Sequence, residues 1–188
     1  MTSFAQSLTG DLRSSSRRFT LVGIVGFAAA VAAASQIAIP LPGTPVPFTL
    51  QPMLVVLAGM WLGPTAGAAS MVLYLAAGAA GLPVFTPLGA PGLARFVGPT
   101  GGYLIAYPAA AIIAGVAMRR ARALPTRWLA AAAGMIVIYL GGIAQLSVLG
   151  GSVPRAIAVG VTPFAALDLI KAFIAAAVSG PRLTRSRA

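Results

Sequence analysis

The sequence contains no cysteine and no histidine, and its acidic residues are limited to Asp11 and Asp168. Without thiols there are no disulfides and no cysteine nucleophile, and without imidazoles the usual zinc and haem ligands are missing. The sequence shows no nucleophile–base arrangement and no GxxxxGK[ST] nucleotide-binding loop. It therefore predicts a protein that is not an enzyme, binds no metal or cofactor and supplies no ATP hydrolysis of its own.

Charged residues are also scarce. They make up 8% of the chain, against 59% hydrophobic residues, whereas a soluble domain carries about 25% charged residues. The apolar residues form long runs separated by short stretches rich in proline and glycine, which is typical of a protein that crosses a membrane several times. The net charge of +11 comes from short clusters between these runs. That arrangement favours membrane topology signals over nucleic-acid binding.

Six apolar segments are predicted, and we expect helices because backbone groups in lipid must form hydrogen bonds within their own segment. The predicted fold is an all-α integral membrane protein, with six transmembrane helices in one bundle over residues 19–178. A polar N-terminal tail, residues 1–18, and a basic C-terminal tail, residues 179–188, flank the bundle, and residues 1–16 are expected to be disordered. The segments are residues 19–39, 48–62, 65–82, 101–118, 128–149 and 162–178.

The arginines predict the orientation of this bundle. Ten of them lie in clusters before the first segment, after the fourth and after the sixth, which six spans place on one side; Arg95 and Arg155 fall on the other. Because cytoplasmic loops carry an excess of arginine and lysine, both termini are predicted to be cytoplasmic. The Arg17-Arg18 pair before an apolar run that ends in alanines also resembles a signal peptide. Since the rest of the chain still has several segments, a first membrane span is favoured.

Two charged residues lie inside the last apolar segment, Asp168 and Lys171, the latter being the single lysine of the chain. The i, i+3 spacing places them on one helix face, and each costs about 2.5–3.5 kcal/mol at the centre of a membrane helix. One interpretation is an internal ion pair that neutralises itself. The other is a ligand site, because a carboxylate can accept ligand N–H groups and an ammonium can bind a ligand carboxylate.

Arg95 lies in the glycine- and proline-rich connection between the third and fourth segments. It is interpreted either as a contact to lipid headgroups or as a residue that captures a ligand anion, since a guanidinium suits a carboxylate. Four further residues are possible walls of one binding pocket: Gln51 near the start of the second segment, Tyr74 in the middle of the third, and Phe85 and Thr86 in the same connection as Arg95.

Small residues repeat along the first segment, with pairs at Ala28/Ala32 and Ala29/Ala33. Such spacing lets another helix approach closely. The approaching helix belongs either to this chain or to a partner subunit, and the sequence leaves both alternatives open.

Several ordered motifs resemble those of the BioY family, the biotin-specific membrane component of energy-coupling factor (ECF) transporters. The resemblance covers most of the chain, with one departure at Ala90-Pro91, in a loop that is often glycine-rich in the family. It implies six helices, cytoplasmic termini, a biotin pocket near the outer face, and Arg95, Asp168 and Lys171 as binding residues. It also implies docking onto a transmembrane coupling subunit driven by two ATPase subunits. The motifs are residues 45–51 (PVPFTLQ), 57–64 (LAGMWLGP), 74–85 (YLAAGAAGLPVF), 97–103 (VGPTGGY) and 168–171 (DLIK).

The function expected from this resemblance is biotin uptake by a multi-pass protein of a bacterial cell membrane, with lipid around it and no nucleic-acid partner. Asp168 suits a ureido N–H of biotin, while Arg95 or Lys171 suits its carboxylate. The alternative is a proton-coupled secondary carrier for a small carboxylate-bearing metabolite, with Asp168 as proton relay. Proton relays favour chains of Asp, Glu or His, and one intramembrane acid without histidine argues against it.

Overall fold

A computed structural model describes residues 2–180, with side chains from residue 17 onward. This part of the chain is all-helical, as predicted: it contains no β-strand, and one isolated bridge joins Ile39 to Phe48. The predicted C-terminal tail lies outside the described residues from 181 onward. The α-helices are α1 (Thr2–Gln36), α2 (Gln51–Leu62), α3 (Pro64–Ala79), α4 (Gly101–Met118), α5 (Leu124–Gly150), α6 (Val153–Gly160) and α7 (Ala165–Val178), and a 3-10 helix covers Gly92–Val97.

Two sequence expectations about the helices are wrong. The stretch expected to be a disordered tail is helical from Thr2 onward, because no proline interrupts the sequence between there and Gln36. The connection between the fifth and sixth segments contains α6, which was not predicted. Ser152 caps this helix, accepting a hydrogen bond from the Arg155 backbone N–H at 3.5 Å, and Pro154 occupies its first turn, where proline is tolerated.

Three helices of the described chain are long and apolar enough to cross a membrane: residues 17–36 of α1, α4 and α5. The pair α6 and α7, bent by 58° at its break, gives a fourth candidate span. The helices α2 and α3 are apolar but shorter, with 12 and 16 residues. These lengths identify a membrane protein, and the count of six spans stays a prediction.

Close backbone contacts bring the helices together around α4, which packs against α2, α3 and α5. A Cβ atom added to Gly59 of α2 meets the Ala111 carbonyl oxygen of α4 at 2.0 Å. A Cβ at Gly102 of α4 meets the Gly141 carbonyl oxygen of α5 at the same distance. Only glycine allows backbones this close, so these positions fix α4 at the centre of the bundle.

The buried residues form two clusters. One is built largely of alanine and methionine, mostly from α2, α4, α5 and α7. The other contains Tyr74, Phe85, Tyr103 and Tyr107 and reaches the two long connections, residues 37–50 and 80–100. The cavity described next lies within this aromatic cluster.

Candidate functional site

A cavity between α2, α3, α4, α5 and α7 is covered by the two long connections. Its empty space is about 690 Å³, including the part open to solvent at the mouth. All seven residues that sequence analysis proposed for ligand binding line it. They come from three helices, α2, α3 and α7, and from the second long connection, which are distant in sequence: Gln51, Tyr74, Phe85, Thr86, Arg95, Asp168 and Lys171.

The Asp168 and Lys171 side chains form an ion pair on the cavity wall, with Nζ 2.7 Å from Oδ1. The Lys171 ammonium also donates to the Thr49 carbonyl oxygen at 2.6 Å and lies 3.8 Å from the centre of the Phe48 ring. The Asp168 Oδ2 atom accepts a hydrogen bond from the Tyr139 hydroxyl at 2.5 Å. Both charges are buried, with 6% and 5% of the residues exposed. The pair is thus self-neutralising, as one interpretation required, and lines a cavity, as the other required.

Arg95 is a buried cation with 5% of its surface exposed, so its interpretation as a headgroup contact is wrong. No carboxylate of the described residues lies within ion-pair distance of it. Its Nη2 donates to the Thr86 carbonyl oxygen at 2.5 Å, and its Nη1 donates to Thr86 Oγ1 at 3.2 Å and to the Leu88 carbonyl oxygen. Its buried Nε has no hydrogen-bond partner in this part of the chain. Burial lowers the pKa of Arg95, and the nearby Tyr74 opposes that shift. The guanidinium nevertheless stays protonated.

The remaining predicted residues support one another on the wall of the cavity. Gln51 Nε2 donates to the Tyr74 hydroxyl at 2.7 Å, and the Phe85 ring packs edge-on against the Tyr74 ring at 5.5 Å. A Cβ at Gly78 lies 2.1 Å from the Phe85 ring, so glycine there leaves room for Phe85. These contacts form a rigid aromatic wall with few polar groups, which is common in small-molecule sites.

Sequence analysis missed several side chains of this site, above all Tyr139, which binds Asp168. All four tyrosines of the chain line the same cavity: Tyr74, Tyr103, Tyr107 and Tyr139. A single tyrosine in an apolar segment is usually read as packing, and no local pattern links Tyr139 to a residue 29 positions away. The scarcity of tyrosine was the available signal.

The second long connection, which lines the cavity, is held by side chains of α1 and α5. From α1, Ser35 Oγ donates to the Val84 carbonyl oxygen at 2.6 Å, and Gln36 Nε2 donates to the Phe85 carbonyl oxygen at 3.1 Å. From α5, Gln145 Nε2 lies 3.4 Å from the carbonyl oxygens of Phe96 and Gly98. The segment that carries Phe85, Thr86 and Arg95 is therefore fastened to the bundle by side chains.

The alanine pairs of α1 lie on different faces. Ala28 is 7% exposed and Ala32 is partly buried, and both pack in the aromatic cluster. Ala29 and Ala33 are exposed. Internal packing therefore accounts for the Ala28/Ala32 face, while the Ala29/Ala33 face remains accessible.

Comparison with known proteins assigns this chain to a family. The BioY family matches residues 7–187. The probable biotin transporter BioY of Pyrococcus horikoshii is 39% identical over 135 residues, covering 72% of this chain and 79% of that protein. The biotin transporter BioY of Thermotoga maritima is 36% identical over 153 residues, covering 81% and 89%.

A solved structure shares the architecture as well. The crystal structure of the S-component for biotin from an ECF-type ABC transporter superposes with a TM-score of 0.81 at 26% identity, covering 88% of this chain and 90% of that one. The family match spans nearly the whole chain, the relatives are similar in length and sequence, and the fold is the same. This chain belongs to the BioY family.

Proposed function

We propose that this protein is the biotin-binding membrane component of an ECF-type transporter and that it serves biotin uptake. The observation that carries the proposal is the cavity, in which an uncompensated cation, Arg95, and a carboxylate, Asp168, are set into aromatic walls. Biotin has matching chemistry: an apolar ring and chain, a ureido group with two N–H donors, and one carboxylate. The names of the relatives from Pyrococcus horikoshii and Thermotoga maritima agree with this ligand.

The hydrogen bonds favour Arg95 over Lys171 as the partner of the biotin carboxylate. The ammonium of Lys171 already contacts the Asp168 carboxylate, the Thr49 carbonyl oxygen and the Phe48 ring. The Arg95 guanidinium contacts neutral groups alone, and its Nε is unpartnered within the described residues. A buried cation with no counter-charge gains most from a ligand carboxylate.

Asp168 is assigned to the ureido group. A carboxylate offers about four lone-pair sites, and the side chains of Lys171 and Tyr139 use one on each oxygen. The remaining sites can accept a ureido N–H. In this arrangement Lys171 and Tyr139 position Asp168 and keep it charged.

The membrane arrangement that we propose has six spans, with α6 and α7 forming one broken span and the shorter α2 and α3 each crossing among their neighbours. Both termini and the connection between α4 and α5 lie in the cytoplasm, because ten arginines then fall on that side. The cavity mouth, with Arg95, faces outward across the plasma membrane, where biotin enters.

The energy for transport comes from partners. The sequence has no P-loop, so two ATPase subunits supply ATP hydrolysis and a transmembrane coupling subunit connects them to this chain. The exposed Ala29/Ala33 face of α1 suits close contact with a helix of the coupling subunit.

The proton-coupled carrier is less well supported. Asp168 is held by Lys171 and Tyr139, and the chain offers no second intramembrane acid or histidine to pass a proton on. A ligand-binding role uses the same contacts without requiring a relay.

The test is a calorimetric titration of the purified chain with biotin in detergent, without nucleotide. We expect saturable binding of one biotin per chain, weakened when the biotin carboxylate is converted to an amide. Uptake of biotin by cells is expected to require the coupling and ATPase subunits in addition. A chain that is folded but shows no saturable binding contradicts the proposal.

A further inference from the structure

The four tyrosine hydroxyls of the cavity differ in their hydrogen bonds. The Tyr103 hydroxyl donates to the Gly160 carbonyl oxygen at 2.8 Å, and the Tyr139 hydroxyl donates to Asp168. The Tyr74 hydroxyl accepts from Gln51. The Tyr107 hydroxyl has no protein partner among the residues that the structure describes.

Tyr107 is nevertheless one of the most buried residues of the bundle, with 3% of its surface exposed. Its ring stacks on the Tyr74 ring, with centroids 6.4 Å apart and planes 26° apart, which fixes its orientation. Among the described residues, the fully enclosed side-chain atoms without a hydrogen-bond partner are Ser70 Oγ, Arg95 Nε and Arg127 Nε. The Tyr107 hydroxyl oxygen is not one of these atoms. It is therefore not fully enclosed by protein and opens into the cavity that Tyr107 lines. Buried polar groups are nearly always hydrogen-bonded, and the missing partner of this one is therefore sought in the ligand.

Donors and acceptors around the cavity indicate which ligand atom it meets. The ureido group offers two N–H donors and one carbonyl oxygen, and Asp168 serves the donors. The ureido oxygen needs a donor. The hydroxyl protons of Tyr103 and Tyr139 are directed to protein atoms, and one of the two amide protons of Gln51 is directed to the Tyr74 hydroxyl. The Lys171 ammonium is held by Asp168 and Thr49. The Tyr74 hydroxyl is already bonded to Gln51, whereas the Tyr107 hydroxyl has neither a donor nor an acceptor in the described chain.

We infer that Tyr107 is a ligand-binding residue whose hydroxyl donates a hydrogen bond to the ureido oxygen of biotin, an inference that rests on the function proposed above. The stacked Tyr74 ring holds the hydroxyl in place before the ligand arrives, so little ordering is needed on binding. The residue thereby favours ligands with a strong acceptor at that position over ligands with a weak one.

The test compares wild type with Tyr107→Phe, which keeps the ring and its stacking. A neutral hydrogen bond is worth about 0.5–1.5 kcal/mol, so biotin affinity is expected to fall about 2-fold to 12-fold. An analogue with sulfur in place of the ureido oxygen, a weaker acceptor, is titrated against both proteins. Wild type is expected to lose affinity for this analogue, and the gap between the two proteins is expected to shrink, as a double-mutant cycle requires.

Thermal unfolding of the ligand-free proteins separates binding from folding. Tyr107→Phe removes a hydroxyl with no described protein partner, so the midpoint is expected to stay the same or rise. The matched control is Tyr103→Phe, which removes the hydroxyl bonded to Gly160 and is expected to lower the midpoint.

The outcomes that contradict the inference are distinct from those that contradict the function. Wild type that does not bind biotin overturns the proposed function and this inference with it. Wild type that binds biotin, with Tyr107→Phe binding as tightly, overturns the inference alone. Equal loss of affinity for the sulfur analogue in both proteins overturns the assignment to the ureido oxygen.

Discussion

Three ionisable side chains set the charge of the cavity. Arg95 and Lys171 carry positive charge and Asp168 carries negative charge, so within the described lining one positive charge is left over. A ligand with one carboxylate neutralises it. Because all three side chains are buried, this neutralisation is worth more than the same contact at a surface.

The uncompensated cation gives the first prediction. Arg95→Met is expected to weaken biotin binding by about tenfold to more than a hundredfold, since a hydrogen bond to a charged group is worth about 1.5–3 kcal/mol. The amide of biotin is expected to lose little further affinity in this variant, as measured by calorimetry. Arg155→Met, at an exposed arginine predicted on the same side, is the control and is expected to bind like wild type. Insensitivity to the amide in Lys171→Met instead assigns the carboxylate to Lys171.

The ion pair gives the second prediction. Removing one partner of a buried pair costs about 3–5 kcal/mol because the other charge is left alone. Asp168→Asn and Lys171→Met are therefore each expected to lower the thermal midpoint of the ligand-free protein. The double variant is expected to regain much of that stability but not the affinity for biotin. A well-folded double variant with wild-type affinity shows that the pair is structural and not part of the binding site.

At the scale of helices, α1 links the accessible alanine face to the cavity mouth. Ala29 and Ala33 are exposed on one side, and at its C-terminal end Ser35 and Gln36 bind the connection that carries Phe85. A partner that contacts the Ala29/Ala33 face is therefore connected through α1 to the segment that carries Phe85. Two predictions separate these roles.

The role of the Ala29/Ala33 face is tested by replacing its alanines with a larger residue. Ala29→Leu and Ala33→Leu are expected to reduce biotin uptake in cells that contain the partner subunits, while binding by the purified chain stays largely intact. Ala28→Leu, at the buried face, is the contrast: overpacking typically costs about 1–3 kcal/mol, so stability and binding are expected to fall together. Unchanged uptake in both outer variants removes the docking role of this face.

The C-terminal residues of α1 are tested by kinetics. Ser35→Ala and Gln36→Ala remove hydrogen bonds to the backbone of the Val84 and Phe85 segment. We expect biotin to dissociate up to about tenfold faster from each, since a lost hydrogen bond is worth about 0.5–1.5 kcal/mol. Displacement of labelled biotin measures the rate. The control is Thr126→Val, which removes the hydrogen bond from the Thr126 hydroxyl to the Ala123 carbonyl oxygen and is expected to release biotin at the wild-type rate. Wild-type dissociation rates in the Ser35 and Gln36 variants contradict a role of these residues in holding the connection over the cavity.

At the scale of the whole molecule, the arginine distribution predicts one orientation. Reporter fusions after Arg122 and at the C-terminus are expected to report cytoplasm, and a fusion after Gly89 is expected to report the outside. The reporters also test the number of spans, because an odd number of membrane spans between two fusion sites places those sites on opposite sides of the membrane. A cytoplasmic reading at Gly89 places the cavity mouth on the wrong side for uptake.

The sequence by itself determined the membrane class, the helical fold and the pairing of Asp168 with Lys171. These follow from local properties: the length of apolar runs, the need of backbone groups in lipid for partners in the same segment, and the i, i+3 spacing. Most segment positions were predicted for the same reason. The helical structure of residues 2–16 and the helix α6 were missed because neither stretch forms a long apolar run, which is the signal that identified the other helices.

The tertiary structure decided everything that depends on distant residues. Arg95 turns inward because the backbone oxygens of Thr86 and Leu88 accept its hydrogen bonds. Lys171 meets Thr49 across 122 positions. Ala28 and Ala29 are equivalent in the sequence, and only packing against the aromatic cluster turns the first inward. Side chains from five helices and two connections converge on one cavity, and the helix packing that brings them together has no counterpart in any local pattern of the chain.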